Sequence, residues 1–146
     1  MAVTAFMYGL GLKAFANKQI DWDTDSIYVA LLTSSYTPDQ DVHDYFDDVT
    51  AFQASGTGYT SGGQALAGLV LSYDAASNEM RMSASNSVWT PSSLTARYAV
   101  VYDRTPSTDA TRPLISYVDF GASETSLNGG FEIDWSSGIV AKVVAA

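Results

Sequence analysis

Apolar and polar positions alternate strictly over Glu79–Ala84, where Met80, Met82 and Ala84 stand opposite Glu79, Arg81 and Ser83. Gly130–Trp135 repeats the pattern, with Phe131, Ile133 and Trp135 opposite Glu132 and Asp134. A period of two marks a strand with one dry and one wet face. Apolar and β-branched runs predict further strands over 27–32, 66–73, 96–102, 114–120 and 139–144. The clusters DAASN (74–78), TPSTDATRP (105–113) and SLNGG (126–130) supply turn residues between them. Residues 27–32 are apolar on both faces, which predicts a central strand.

The period lengthens near the start. Val3, Phe6, Met7, Leu10 and Phe15 fall at near-helical spacing, predicting a helix over 3–16 that Gly9 and Gly11 weaken. Val42, Tyr45, Phe46 and Val49 follow at i, i+3, i+4 and i+7, with aspartates at N-cap positions, which predicts a short surface helix over 38–49. Strands in succession, with only short helices near the start, give a mainly β fold: an antiparallel β-sandwich or open barrel with one N-terminal helix and one short surface helix. The chain of 146 residues is of single-domain length and contains no dividing linker, so 1–146 is expected to be one domain, with 1–16 as its N-terminal helix or docking segment.

Composition narrows the chemistry. With 47% hydrophobic residues, a chain of this length can build a core without staples, and zero Cys removes thiolate nucleophiles, Cys-ligated metals and disulfides. Seven basic residues against sixteen acidic ones give a charge of −9, which argues against direct nucleic-acid binding. The apolar start lacks a basic lead and is broken by Gly9, Gly11 and Lys13, so it reads poorly as a signal peptide. The uncharged stretch Val49–Tyr73 is too rich in Gly, Ser, Thr and Gln to cross a bilayer, and no membrane partner is expected.

The candidate catalytic and metal motifs are incomplete. Asp21, Asp23 and Asp25 stand at positions 1, 3 and 5 of a calcium loop, but Ser26 replaces the glycine of position 6 and Leu32 the bidentate glutamate of position 12. The second acidic run, Asp39, Asp41, Asp44, Asp47 and Asp48, reads as a solvated face. His43 is the one histidine, so any Ser–His–Asp hydrolase would rest on it, and Gly-x-Ser-x-Gly is absent. The glycine-rich 56–63 lacks the Lys-Ser/Thr end of a phosphate loop and reads as an extended surface loop. The repeated tripeptide Ile20-Asp21-Trp22 and Ile133-Asp134-Trp135 reads as two tryptophans anchoring strand ends in the core. Neither metal nor cofactor is expected.

Longer stretches carry a resemblance: 29–38 (VALLTSSYTP), His43-Asp44-Tyr45, Ser55–Tyr59 with Gly62-Gly63, 95–103 (TARYAVVYD), 113–121 (PLISYVDFG) and 128–133 (NGGFEI). Over roughly its whole length the chain resembles short structural proteins of tailed bacteriophages, of the capsid decoration or minor capsid type. The resemblance implies a non-enzymatic virion protein with the major capsid protein as partner; the charge of −9 suits the capsid exterior, the absence of Cys suits assembly in the bacterial host cytoplasm, and self-association is expected, a trimer matching local threefold positions of a shell. It brings no catalytic residues. Phe6, Met7, Leu10 and Phe15 at the start, and Tyr59 in the glycine-rich loop, are the expected interface residues. The alternatives are a tail-associated receptor- or carbohydrate-binding module, for which Trp89 and the tyrosines would supply an aromatic platform, and a small hydrolase built on His43.

Overall fold

The computed structural model describes residues 2–145; Met1 and Ala146, the outer ends of the predicted docking segment and of the predicted domain, lie outside the described residues. Its spine is an antiparallel pair of long strands, β8 (Ser87–Asp103) and β9 (Leu114–Trp135), joined by the turn-rich 104–113. β3 (Ile27–Leu32) pairs antiparallel with β8, and the short β5 (Gln64–Ala65) closes that side. On the other side β2 (Ala5–Met7) pairs with β9 around Tyr117, and β1 (Ala2–Val3) runs parallel to the end of β9. β4 (Gly56–Thr57) adds to the outer half of β8. A second sheet, in the order β10 (Ile139–Val144), β7 (Glu79–Ser83) and β6 (Val70–Asp74), is antiparallel throughout. The fold is a mainly β sandwich, as the sequence predicts, rather than an open barrel.

Burial explains the two-sided hydrophobicity of β3. Its Val29 and Leu31 enter the core between the sheets with Trp22, Met82, Val101, Ile115, Ile133, Trp135 and Val140. Ala30 and Leu32 project the other way, into a second cluster with Tyr8, Tyr36, Phe46, Val49, Val100, Tyr102 and Leu114. The large sheet is therefore covered on both faces, and alternate residues of a single strand serve two cores. Trp22 and Trp135, the matched tryptophans of the repeated tripeptide, are both fully buried in the first.

Several expected boundaries change. The N-terminal helix covers only Gly9–Ala16, labelled α1, because residues 5–7 take their hydrogen bonds from β9 instead. Gly11 lets α1 lie directly on that strand: a Cβ there would sit 2.5 Å from the carbonyl oxygen of Leu114. The predicted surface helix over 38–49 is a series of turns with one 3-10 turn at Phe46–Asp48. Asp39 caps a first turn by accepting the N–H groups of Asp41 and Val42, but Asp48 accepts the Asp44 N–H that a continuing helix would need for its own ladder. The predicted strand over 66–73 is shortened to β6, which begins at Val70, because Leu66 gives only a single N–H to the Ile27 carbonyl and Gly68 turns the chain at φ +65°. The predicted strands over 114–120 and 130–135 are one continuous strand, since β8 supplies partners through the polar residues between them.

Candidate functional site

Of the five expected interface residues only Phe6 is exposed, at 51%, with its ring centroid 5.7 Å from that of Tyr117. Met7 and Phe15 are half-buried and pack against the inter-sheet core. Leu10 is half-buried on a cleft of about 180 Å³ between α1 and Asp44, Tyr45 and Pro113. Tyr59 packs toward Trp89, and its hydroxyl accepts the Leu31 N–H at 3.1 Å while reaching Gln53 Oε1 at 3.1 Å. Burial pushes that phenol up to about 12. The N-terminal segment is thus woven into the sandwich: β1 and β2 are strands of the large sheet, and Tyr8 and Ala14 are core residues.

The outer margin of the small sheet presents the apolar surface that sequence spacing did not single out. The register aligns Ala141, Met82 and Leu71 in one cross-strand row and Val143, Met80 and Tyr73 in the next. Ala141 and Met82 are buried, whereas Leu71 is 46% and Tyr73 60% exposed. Every residue of β6 from Val70 to Tyr73 is exposed, and its outer edge pairs with no strand among the described residues. On the opposite face Arg81 holds Asp74 at 2.7 Å and Glu79 at 2.8 Å, and Lys142 holds Glu79 at 2.7 Å. These two cations keep the Glu79 carboxyl down at about 2. One face of the sheet is an ion-pair ladder, and the other is an apolar ledge.

A further surface feature is a hydroxyl-lined trough of about 430 Å³ on β8 and β9, walled by Ser93, Thr95, Thr125 and Ser126 beside exposed Leu127. The Thr95 and Thr125 hydroxyls pair at 2.8 Å, which ties the two strands together across it.

The chemical candidates fall into structural roles. His43 Nδ1 lies 3.0 Å from the Tyr36 hydroxyl, which lies 2.6 Å from that of Tyr8. The Asp39 N–H also points at Nδ1, at 3.3 Å. A backbone N–H only donates, so Nδ1 is the acceptor, and the chain runs from Tyr8 through Tyr36 to His43. This nitrogen is engaged by a tyrosine rather than by a serine. Burial drives the Tyr8 phenol far above its ordinary range and Tyr36 up to about 12, so both stay protonated as donors. Asp25 accepts the Asp21 N–H at 2.7 Å, closing the turn that carries positions 1, 3 and 5 of the incomplete calcium loop. No three acidic or histidine side chains converge on one point among the described residues. No helix among them is long and apolar enough to cross a membrane.

Trp89, named for an aromatic platform, is only 4% exposed and packs edge-on against Phe131 at 6.1 Å, so it offers no ring to a ligand. Compared with protein-family models, with curated protein sequences and with solved structures, the chain matches none.

Proposed function

We propose that this chain is a non-enzymatic bacteriophage virion protein, of the capsid decoration or minor capsid type, that attaches to the major capsid protein on the outer surface of the head and associates with further copies of itself. The observation that carries this reading is the apolar ledge of β6, where Leu71 and Tyr73 remain exposed beside an unpaired strand edge. Natural sheets blunt such edges with charge or cover them, so an apolar edge is a natural place for a neighbouring chain to add a strand or a surface. The ion-pair ladder on the opposite face stiffens the sheet that presents it. The charge of −9 repels packaged DNA and suits the exterior of a shell. A receptor- or carbohydrate-binding module has less support, since Trp89 is withdrawn into the core.

Gold-labelled antibody against the chain, applied to purified phage particles in negative stain, tests the reading. Label distributed over the head is the expected result. Label confined to the tail, or absent from intact particles, overturns it.

A further inference from the structure

We propose that Arg104 and Arg112 form a binding pocket for a single carboxylate. The proposal stands independently of any place in a virion.

The pocket lies where the 104–113 connection folds against the glycine-rich loop, and its space of about 140 Å³ is lined by both arginines together with Gln53, Ser61, Tyr102 and Asp109. Sites for drug-sized ligands run to roughly 300–1,000 Å³, so this one suits a group no larger than a side chain. Phe46 stacks on Tyr102 at 3.8 Å and forms a rigid apolar wall. Arg112 is fixed by its surroundings: Nε donates to the Pro106 carbonyl at 2.8 Å and Nη1 to Asp109 Oδ1 at 2.6 Å. Its remaining nitrogen, Nη2, has no such partner among the described residues.

Arg104 is held differently. Its guanidinium carbon lies 4.7 Å from the centroid of the Tyr28 ring, and the side chain forms neither an ion pair nor a hydrogen bond among the described residues. Stacking on an aromatic face positions a guanidinium without using its N–H donors, which stay free for an acceptor. Gly62 makes room for it: a Cβ at that position would come 3.1 Å from Arg104 Nη1. Around the arginines several polar groups are already engaged with one another. Gln53 Oε1 receives the Gly62 N–H at 2.6 Å, and the Tyr102 hydroxyl gives its proton to the Gly62 carbonyl at 2.8 Å. Ser61 accepts from Gln53 Nε2 at 3.2 Å and keeps its own proton to donate.

Charge selects the ligand class. Two guanidinium groups and one aspartate leave the pocket with a single net positive charge inside a protein of −9. One carboxylate balances it, while a phosphate dianion would add an uncompensated charge. Guanidinium groups bind carboxylate oxygens in charge-assisted bonds. The carboxylate can be borne by an acidic residue of another protein or by a free small acid, and the same chemistry serves both.

The test follows the Arg104 Nε–H, Arg112 Nε–H and Gly62 amide resonances of the full chain by NMR at constant ionic strength. Sodium acetate, sodium phosphate and the blocked peptide N-acetyl-Gly-Glu-Gly-amide are titrated separately, against sodium chloride as control. Saturable shifts at all three probes with acetate, at about 1–10 mM, are expected, with chloride and phosphate without saturation. Equal or tighter saturation by the peptide assigns the carboxylate to a protein source, and saturation by acetate alone assigns it to a free acid. Arg104→Gln should weaken acetate at least tenfold while leaving the remaining amide spectrum in place. If that variant does not fold, the wild-type Arg104 Nε–H still decides the matter directly. No saturation by acetate or peptide up to ~50 mM, or tighter binding of phosphate, overturns the proposal.

Discussion

Arg97 grips Asp119 at two points across the central strand pair, Nε to Oδ1 at 2.6 Å and Nη2 to Oδ2 at 3.1 Å. The same carboxylate accepts the Gly121 N–H at 2.8 Å. The pair sits where the register of β8 and β9 shifts between Ala96 opposite Glu124 and Tyr98 opposite Asp119, so residues 120–123 bulge against Arg97 alone. One aspartate therefore fastens both the partner strand and the left-handed turn at Gly121, whose φ is +84°. The guanidinium keeps the Asp119 carboxyl below its ordinary range.

Asp119→Ala should destabilise the protein by about 1 kcal/mol, the sum of a screened surface ion pair and a turn hydrogen bond. Its local signature is faster amide exchange at 120–123 with the β3 amides unchanged. Exchange that accelerates across the whole sheet would contradict the local role.

The buried tryptophans differ in one bond. Trp22 Nε1 donates to the Ser83 carbonyl at 3.3 Å, whereas Trp135 Nε1 is buried with no acceptor among the described residues. Replacement by phenylalanine shrinks both rings alike, but at position 22 it removes a hydrogen bond, whereas at 135 it removes a buried donor that has no acceptor among the described residues. Trp22→Phe should cost more than Trp135→Phe by about 1 kcal/mol in urea unfolding.

Helix α1 depends on a missing side chain. With a Cβ 2.5 Å from the Leu114 carbonyl, Gly11→Ala must push α1 off β9, although alanine is the better helix former. We expect a loss of about 1–3 kcal/mol, the usual range for overpacking. An unchanged or raised melting temperature would show that the helix is not seated there.

The strands that were plain in the sequence are those whose pairing surfaces are written locally. Residues 27–32 are apolar at every position but Tyr28, half-buried in the structure, and Glu79–Ser83 alternates; both form strands where expected. Residues 5–7 could not be read the same way, because their partner is Tyr117 and its neighbours far along the chain, and their spacing mimics a helix. Over 38–49 the periodicity is real, with Phe46 and Val49 buried and Asp39 capping a first turn, but the Asp48 side chain takes the Asp44 N–H that a continuing helix needs. The apolar ledge was half legible. Leu71 and Tyr73 stand out as strand residues, but their exposure follows from β6 lying at a sheet edge, which only topology decides. Arg104 and Arg112 bracket a turn cluster evident in the sequence, and their convergence depends on how that turn folds onto Gly62.

Acid should weaken the small sheet through Glu79. Lys142 and Arg81 lower its carboxyl from an ordinary 4.5 to about 2. The stabilisation is therefore complete above 4.5 and is lost as pH falls toward and through 2. The difference in melting temperature between wild type and Glu79→Gln should shrink steadily over that window. A difference that stays constant from pH 6 to pH 2 would remove the ion pairs from the account.

Deleting residues 1–16 would remove β1, β2 and the buried Tyr8 together, so attachment is better tested on the exposed ledge, where substitution leaves the core intact. The most direct measurement is co-sedimentation of the purified chain with phage heads stripped of it, comparing wild type with the double variant Leu71→Ser, Tyr73→Ser. Saturable binding of the wild type is expected, with at least tenfold weaker binding of a variant that still melts cooperatively. A folded variant that sediments with heads as well as wild type, or a wild type that stays in the supernatant, would contradict it.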